Sequence, residues 1–391
     1  DYRSDMSIDT MEVVACQLIP ACALPTDLTV TGQTLTTTDL AWTAGGTETL
    51  WNIEVYDFGA DTSTATPVYT ETGATQTSTT ATGLTFGGDY TAYVRADCQG
   101  TAGLSDPITT DFSIDYCEST PVSNDGSGIT NVQLGTTDFL TGDVTYADYR
   151  ATVVDLELDN TANLQVTFAT NYTYYTNVWI DFNDNLVFES TELVFQGESA
   201  SPSGSILDAS FDIAVDAAQG THYMRIGTAD AGQATPTPCY GGAYGVTIDM
   251  AVNVIIPGSC TTLTIWDGTV WSNGAPDANS YAHIGGAYAT GTDGDIDACS
   301  LAINAATSVD ADGYVDIDGD INVKSVGSLT VAHTGSVVQV QDAATVTNNG
   351  TINVQTITPV MAEKSFMISG SPMSSETRAG VYGASYIVRN H

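Results

Sequence analysis

Between Asp181 and Glu192 the sequence DFNDNLVFESTE spaces oxygen-bearing side chains as a hard cation would want them. Counted from Asp181, they fall at positions 1 (Asp181), 3 (Asn183), 5 (Asn185), 9 (Glu189) and 12 (Glu192) of a twelve-residue calcium loop, with the carbonyl of Val187 at position 7. Ca²⁺ takes about six to eight oxygens at roughly 2.3–2.6 Å, which three carboxylates, two amides and one carbonyl could fill. The spacing therefore predicts a Ca²⁺ site built from Asp181, Asn183, Asn185, Val187, Glu189 and Glu192. Position 6 departs from the pattern: it is Leu186, where such a loop needs the left-handed turn that glycine adopts most readily. The flanks read as strands, so a helix–loop–helix is excluded. The competing reading is a β-hairpin, with Asn183-Asp184-Asn185 as an Asx-rich turn between strands at 178–182 and 186–188.

The elements that must hold this loop are strands. Helix formers are scarce, and short alternating apolar runs rich in Thr, Val and Tyr lie between Gly, Asn and Asp. The chain of 391 residues, 42% hydrophobic, reads as an all-β protein of several folded domains. Eight Lys and Arg stand against 47 Asp and Glu, a net charge of −39, which repels nucleic acid and anionic membrane surfaces. There is no apolar run long enough to span a membrane. Seven cysteines without a CxxC pair point to disulfides in an oxidising compartment rather than to zinc.

Taken in order, residues 1–18 hold one strand whose DMSIDTMEV resembles the last strand of a MAM-like jelly roll, the end of a preceding domain in a longer protein. Residues 19–113 have the strand spacing of a seven-stranded sandwich. With Trp42 in the core-tryptophan position and Leu84 followed by Tyr90, they resemble a fibronectin type III module. On that resemblance Cys22 and Cys98 tie the first strand to the sixth. Residues 114–257, bracketed by Cys117 and Cys239, carry VWIDFNDNLVFESTE, GTHYMRIGTAD and PCYGGAYGVTIDMAVNV, and resemble the GEVED family of secreted bacterial proteins. This implies a jelly-roll or sandwich fold with strands at 151–158, 164–169, 174–182, 186–188, 210–215, 222–228 and 247–255. The naming motif is reduced: Gly245-Val246-Thr247-Ile248-Asp249-Met250 keeps the glycine and the aspartate and loses both glutamates and the tyrosine.

In residues 258–360 a glycine followed by a short apolar strand recurs at Gly319, Gly327, Gly335 and Gly350, the first three eight apart. This reads as a β-solenoid and resembles the solenoid-like regions of surface proteins from type IX-secreting Bacteroidota. Pairing Cys260 with Cys299 would staple its first coil, which leaves Cys16 free or paired upstream. Alternation would place Asp316, Asp318 and Asp320 on one strand face, and Asp293, Asp295 and Asp297 on another, either as solvated acidic faces or as a second cation site. Residues 361–391 resemble the start of a following module.

Functionally, no metalloprotease, nucleophile-elbow, P-loop or dinucleotide motif occurs, and the histidines at 222, 283, 333 and 391 lie far apart. The expectation is tandem β-sandwiches followed by a β-solenoid, a non-catalytic extracellular segment that spaces or presents binding surfaces at a cell surface. Its partners would be other domains of the same polypeptide, surface glycans or cell-surface proteins, with no nucleic acid and no membrane insertion. The alternatives are an accessory, carbohydrate-binding region of a secreted hydrolase, with Tyr172, Tyr174, Tyr175 and Trp179 as sugar-stacking candidates, and a filament-forming subunit.

Overall fold

A computed structural model of the chain describes residues 22–100, 102–124, 128–169, 171–201, 204–357 and 360. The expected strand in 1–18, Cys16 and the expected module at 361–391 lie outside the described residues. What is described is almost wholly β. Among these residues no helix is long and apolar enough to cross a membrane. The chain divides into two compact units: residues 1–154, 163–211 and 221–252, and residues 155–162, 212–220 and 253–391.

The first unit begins with strands β1 (Thr26–Thr34), β2 (Thr37–Thr43), β3 (Trp51–Asp57), β4 (Tyr69–Ala74), β5 (Ser78–Thr82), β6 (Asp89–Ala96) and β7 (Ile108–Ser113). They form a three-stranded sheet, β1-β2-β5, and a four-stranded sheet, β4-β3-β6-β7. Period-two alternation turns Leu40 and Trp42 inward from β2 and Trp51, Ile53 and Val55 from β3. Trp42 meets Trp51 edge-on at 6.1 Å. Leu84 and Tyr90 are buried beside them, and the Tyr90 hydroxyl accepts a hydrogen bond from the Thr85 amide at 2.9 Å. Cys22 and Cys98 are disulfide-bonded, with Cα atoms 5.6 Å apart. Closing a loop of that length stabilises the fold by about 4 kcal/mol on a chain-entropy view.

The following strands are β8 (Ile129–Leu134), β9 (Thr137–Leu140), β10 (Tyr146–Glu157), β11 (Thr161–Ala162), β12 (Leu164–Phe168), β13 (Tyr174–Ile180), β14 (Leu193–Glu198), β15 (Ile206–Asp208), β16 (Phe211–Asp212), β17 (Gly220–Asp230) and β18 (Thr247–Ile255). They build a five-stranded sheet, β10-β18-β17-β13-β14, a four-stranded sheet, β15-β12-β8-β9, and a two-stranded pair, β11-β16. The structure corrects the expected strands at two points. Residues 186–188 form none, and β13 pairs instead with β14, Trp179 opposite Leu193. The expected strand at 210–215 shrinks to the two residues of β16. Gly245 lets the segment before β18 pass close to β17, since a Cβ there would lie 2.2 Å from the Thr228 carbonyl oxygen.

In the second unit, β19 (Thr262–Trp266), β20 (Ser280–Ile284), β21 (Tyr288–Ala289), β22 (Ile296–Ala298), β23 (Ser300–Ile303), β24 (Ala306–Val309), β25 (Tyr314–Ile317), β26 (Ile321–Val323), β27 (Ser328–Val331), β28 (Ser336–Gln339), β29 (Val346–Asn348) and β30 (Thr351–Val354) wind into a β-solenoid. Its three parallel sheets are β19-β20-β23-β26-β29, β21-β24-β27-β30 and β22-β25-β28. The eight-residue glycine period is thus one side of a three-sided coil, a strand plus a corner, and not a whole coil. At the corners neighbouring backbones nearly touch: a Cβ on Gly327 would lie 2.0 Å from the Ile303 carbonyl oxygen. Cys260 and Cys299 are bonded beside Tyr281 and Ala302. In the same unit the Asp159 carboxylate receives the Tyr281 hydroxyl at 2.9 Å, with His283 Nδ1 at 3.0 Å and Lys324 Nζ at 3.4 Å. Burial alone would raise that carboxyl, but the hydrogen bond with His283 and the charges of His283 and Lys324 hold it below its usual value.

Candidate functional site

Because Trp179 faces Leu193 across the sheet, the whole of 181–192 is the connection between β13 and β14, closed by a 3₁₀ turn at Ser190–Glu192. The chain takes left-handed φ values at Asp184 (55°) and at Leu186 (64°), so position 6 makes the left-handed turn that glycine adopts most readily although it is a leucine. For a leucine this strain is of order 1–3 kcal/mol. Leu186 is only 6% exposed, and burying a leucine returns about 1.5–3 kcal/mol, which is enough to hold it.

The polar groups close the loop on itself. Asp181, fully buried, accepts the Asn185 amide at 3.2 Å on Oδ1, and on Oδ2 the Leu186 amide at 2.9 Å and the Tyr116 hydroxyl at 2.7 Å. Asn183 Oδ1 accepts from the Asn185 amide, and Asn185 Oδ1 from the Val187 amide. Asn185 Nδ2 donates to Glu189 Oε1 at 2.6 Å. Glu192, 5% exposed, accepts the Phe182 amide at 3.0 Å and the Glu189 amide at 3.1 Å. The structure therefore links Asp181, Asn185, Glu189 and Glu192 into one network, while Asn183 is exposed and Val187 points its side chain to solvent.

Among the described residues no three His, Cys, Asp or Glu side chains gather into a group that could hold a metal ion. A coordination sphere here would need the amide and carbonyl oxygens as well. One observation fits a cation: Glu189 Oε2 is buried without a hydrogen-bond partner. Burial, then the neighbouring Glu189 and Asp181, push the Glu192 carboxyl up to about 7. Hydrogen bonds with Glu192 and Asn185 hold Glu189 below its usual value. A divalent cation would take the place of the proton that Glu192 shares with Glu189 and neutralise both carboxylates.

Sequence reasoning missed the groups around the loop. The Tyr116 phenol, pushed upward by burial and by Asp181, stays a donor. Its ring stacks on Phe188 at 4.5 Å. Behind them Arg225, 3% exposed, grips Asp249 through Nε at 2.6 Å and Nη2 at 2.8 Å. Its Nη1 donates to the Cys117 and Pro238 carbonyls, each at 2.8 Å. The retained aspartate of the reduced motif is thus the counter-charge of a buried arginine, beside the Cys117–Cys239 disulfide. An arginine inside the strand-like run GTHYMRIGTAD, in a chain with only eight basic side chains, was the available signal.

The other expected sites are dispersed. Tyr174 and Trp179 are buried in packing, and Tyr172 is exposed. Tyr175 lines a shallow depression of about 310 Å³ with Gln196, Gly197, Glu198 and Thr235. In the solenoid, β25 ends before Asp318 and Asp320, so the three aspartates do not share a strand face. Asp293 ends a short helical turn and Asp295 accepts the Tyr314 amide. Asp297 instead neighbours Asp316 on the next coil.

The GEVED domain family matches residues 175–253, which contain the loop, Arg225 and Asp249. No curated protein matches the chain. Among solved structures, one titled "Myokine structure" aligns with 24% of this chain and 98% of its own length, at 16% identity and a TM-score of 0.21, too low to support a conclusion.

Proposed function

We propose that the chain is a non-catalytic extracellular segment of a large bacterial surface protein, of the kind made by type IX-secreting Bacteroidota, which spaces or presents binding surfaces and is stiffened by Ca²⁺ in loop 181–192. The observation that carries this reading is the tandem build, in which the two sandwiches and the solenoid each contain a disulfide. Such stapling suits an oxidising, extracellular setting. The seven strands in sheets of three and four, with Trp42 and Tyr90 buried, support a fibronectin type III-like first module. The charge of −39 favours neutral or cationic partners, hence surface glycans or cell-surface proteins rather than nucleic acid.

Ca²⁺ would be held by Asp181, Asn183, Asn185, the Val187 carbonyl and Glu192, with Glu189 direct or through water. Extracellular calcium modules bind at roughly 0.1–1 mM, and at about ten times the dissociation constant the folded state gains about 1.4 kcal/mol. In calorimetry of the full chain, calcium should raise the melting of the wild type over its chelated form and leave Asp181→Ala/Glu192→Ala unchanged. Equal shifts in both proteins, or none in either, would reject the calcium reading. The accessory reading draws support from the Tyr175 depression, where a ring, two amide or carboxylate side chains and a hydroxyl meet. Retention on insoluble polysaccharide, lost in Tyr175→Ala, would favour it over a spacer.

A further inference from the structure

Loop 181–192 has two sides. Its polar groups turn to one another, but Leu186 and Phe188 at positions 6 and 8 are buried, and they join one apolar cluster with Trp42, Trp51, Ile53 and Tyr90 of the first sandwich. A chain of rings makes the connection explicit. Phe86, in the turn before β6, stacks on Tyr223 of β17 at 4.7 Å and meets Tyr116 edge-on at 5.9 Å. Tyr116 in turn stacks on Phe188 and donates its hydroxyl to Asp181, position 1 of the loop. The guanidinium of Arg150 lies over Phe86 at 4.9 Å, anchored by Asp148 at 2.8 Å and Asp115 at 3.2 Å.

We propose that this loop is the key of the joint between the two sandwiches: its apolar side locks the first sandwich to the second, and a divalent cation on its polar side tightens the lock through Asp181 and Tyr116. The second half rests on the reading of the loop as a calcium site. It also accounts for Leu186. A glycine would take the left-handed turn without strain, but only a side chain there reaches the cluster. The cation, by ordering Asp181, would fix the tyrosine that Phe86 packs against, so a local binding event would be felt as loss of hinge motion between the modules.

The test uses the full chain with one dye on each sandwich, at exposed Phe58 and Leu140, and reads the width of the single-molecule distance distribution alongside calcium binding by calorimetric titration. In the wild type calcium should narrow the distribution. Phe86→Ala should keep a broad distribution with or without calcium and should bind calcium more weakly than wild type, because a cation that tightens the joint is itself held more tightly by it. Leu186→Gly should broaden the metal-free distribution although it relieves the backbone. If wild type binds no calcium, the calcium reading and the tightening both fall, while the Leu186→Gly result still decides the apolar lock. Wild-type behaviour in both Phe86→Ala and Leu186→Gly would overturn the proposal outright.

Discussion

Asp249→Ala should unfold the second sandwich well before the rest of the chain. The carboxylate takes two charge-assisted hydrogen bonds from Arg225, at 2.6 and 2.8 Å, and a third from the Tyr146 hydroxyl at 2.8 Å. Arg225 and Asp249 are 3% and 4% exposed, so water cannot replace what is lost. Removing one partner of such a pair costs about 3–5 kcal/mol, because the other charge stays buried and uncompensated. That is a large part of the 5–15 kcal/mol that holds a typical domain together. A chain of several modules does not unfold in one step, so the assay is amide hydrogen exchange read on β17 and β18 of the full chain. Protection there should fall by about that free energy, while β3 and β6 of the first sandwich change far less. The double variant Arg225→Met/Asp249→Leu should recover only part of the loss, since it removes the uncompensated charge but leaves the Cys117 and Pro238 carbonyls and the Tyr146 hydroxyl without their partners. A loss below about 1 kcal/mol, the size of an exposed pair, would refute the reasoning.

Two further expectations concern protons and backbone contacts. Without calcium, the folded chain holds the Glu192 proton from the ordinary value of 4.5 up to about 7; this stabilisation is complete below the former and lost as pH rises through the latter. The melting temperature of the second sandwich should therefore carry a downward slope across that window which Glu192→Gln abolishes. In the solenoid, Gly327→Ala forces a Cβ against the Ile303 carbonyl oxygen and should cost about 1–3 kcal/mol by exchange on β27 and β30. Gly142→Ala, with nothing within 4 Å, should stay within about 0.5 kcal/mol of wild type.

The sandwiches were legible because period-two alternation is local: WNIEVY and YTAYVRA announce β3 and β6 without help from the rest of the chain. The solenoid was legible as a repeat but not as a geometry. Its strands hold three to five residues, apart from the two-residue β21, so aspartates at i, i+2 and i+4 run off the strand into a corner, and the true neighbour of Asp297 is Asp316, one coil later. Alternation within the sequence cannot reveal a partner nineteen residues away unless the coil length is already known. Likewise β14 was hidden because the hairpin reading ended the loop at Asn185, whereas closure waits for the 3₁₀ turn that Glu189 and Glu192 cap reciprocally.

A residue that departs from a motif still answers to its own packing, and Leu186 is the case. Taken alone, Leu186 at position 6 argues against a calcium loop, because a local rule prefers glycine at a left-handed residue. The structure keeps the left-handed turn and keeps the leucine, and a strained residue persists only where its surroundings over-determine it. Here the surroundings are the joint: Leu186 and Phe188 share a cluster with the first sandwich, so the strain is met by burial that glycine could not provide. The same logic reads the reduced motif at 245–250. Gly245 answers to the Thr228 carbonyl and Asp249 to Arg225, both inside the second sandwich. What this chain retains of that motif is therefore what its own packing requires, and any surface role of the two missing glutamates has no counterpart at these positions.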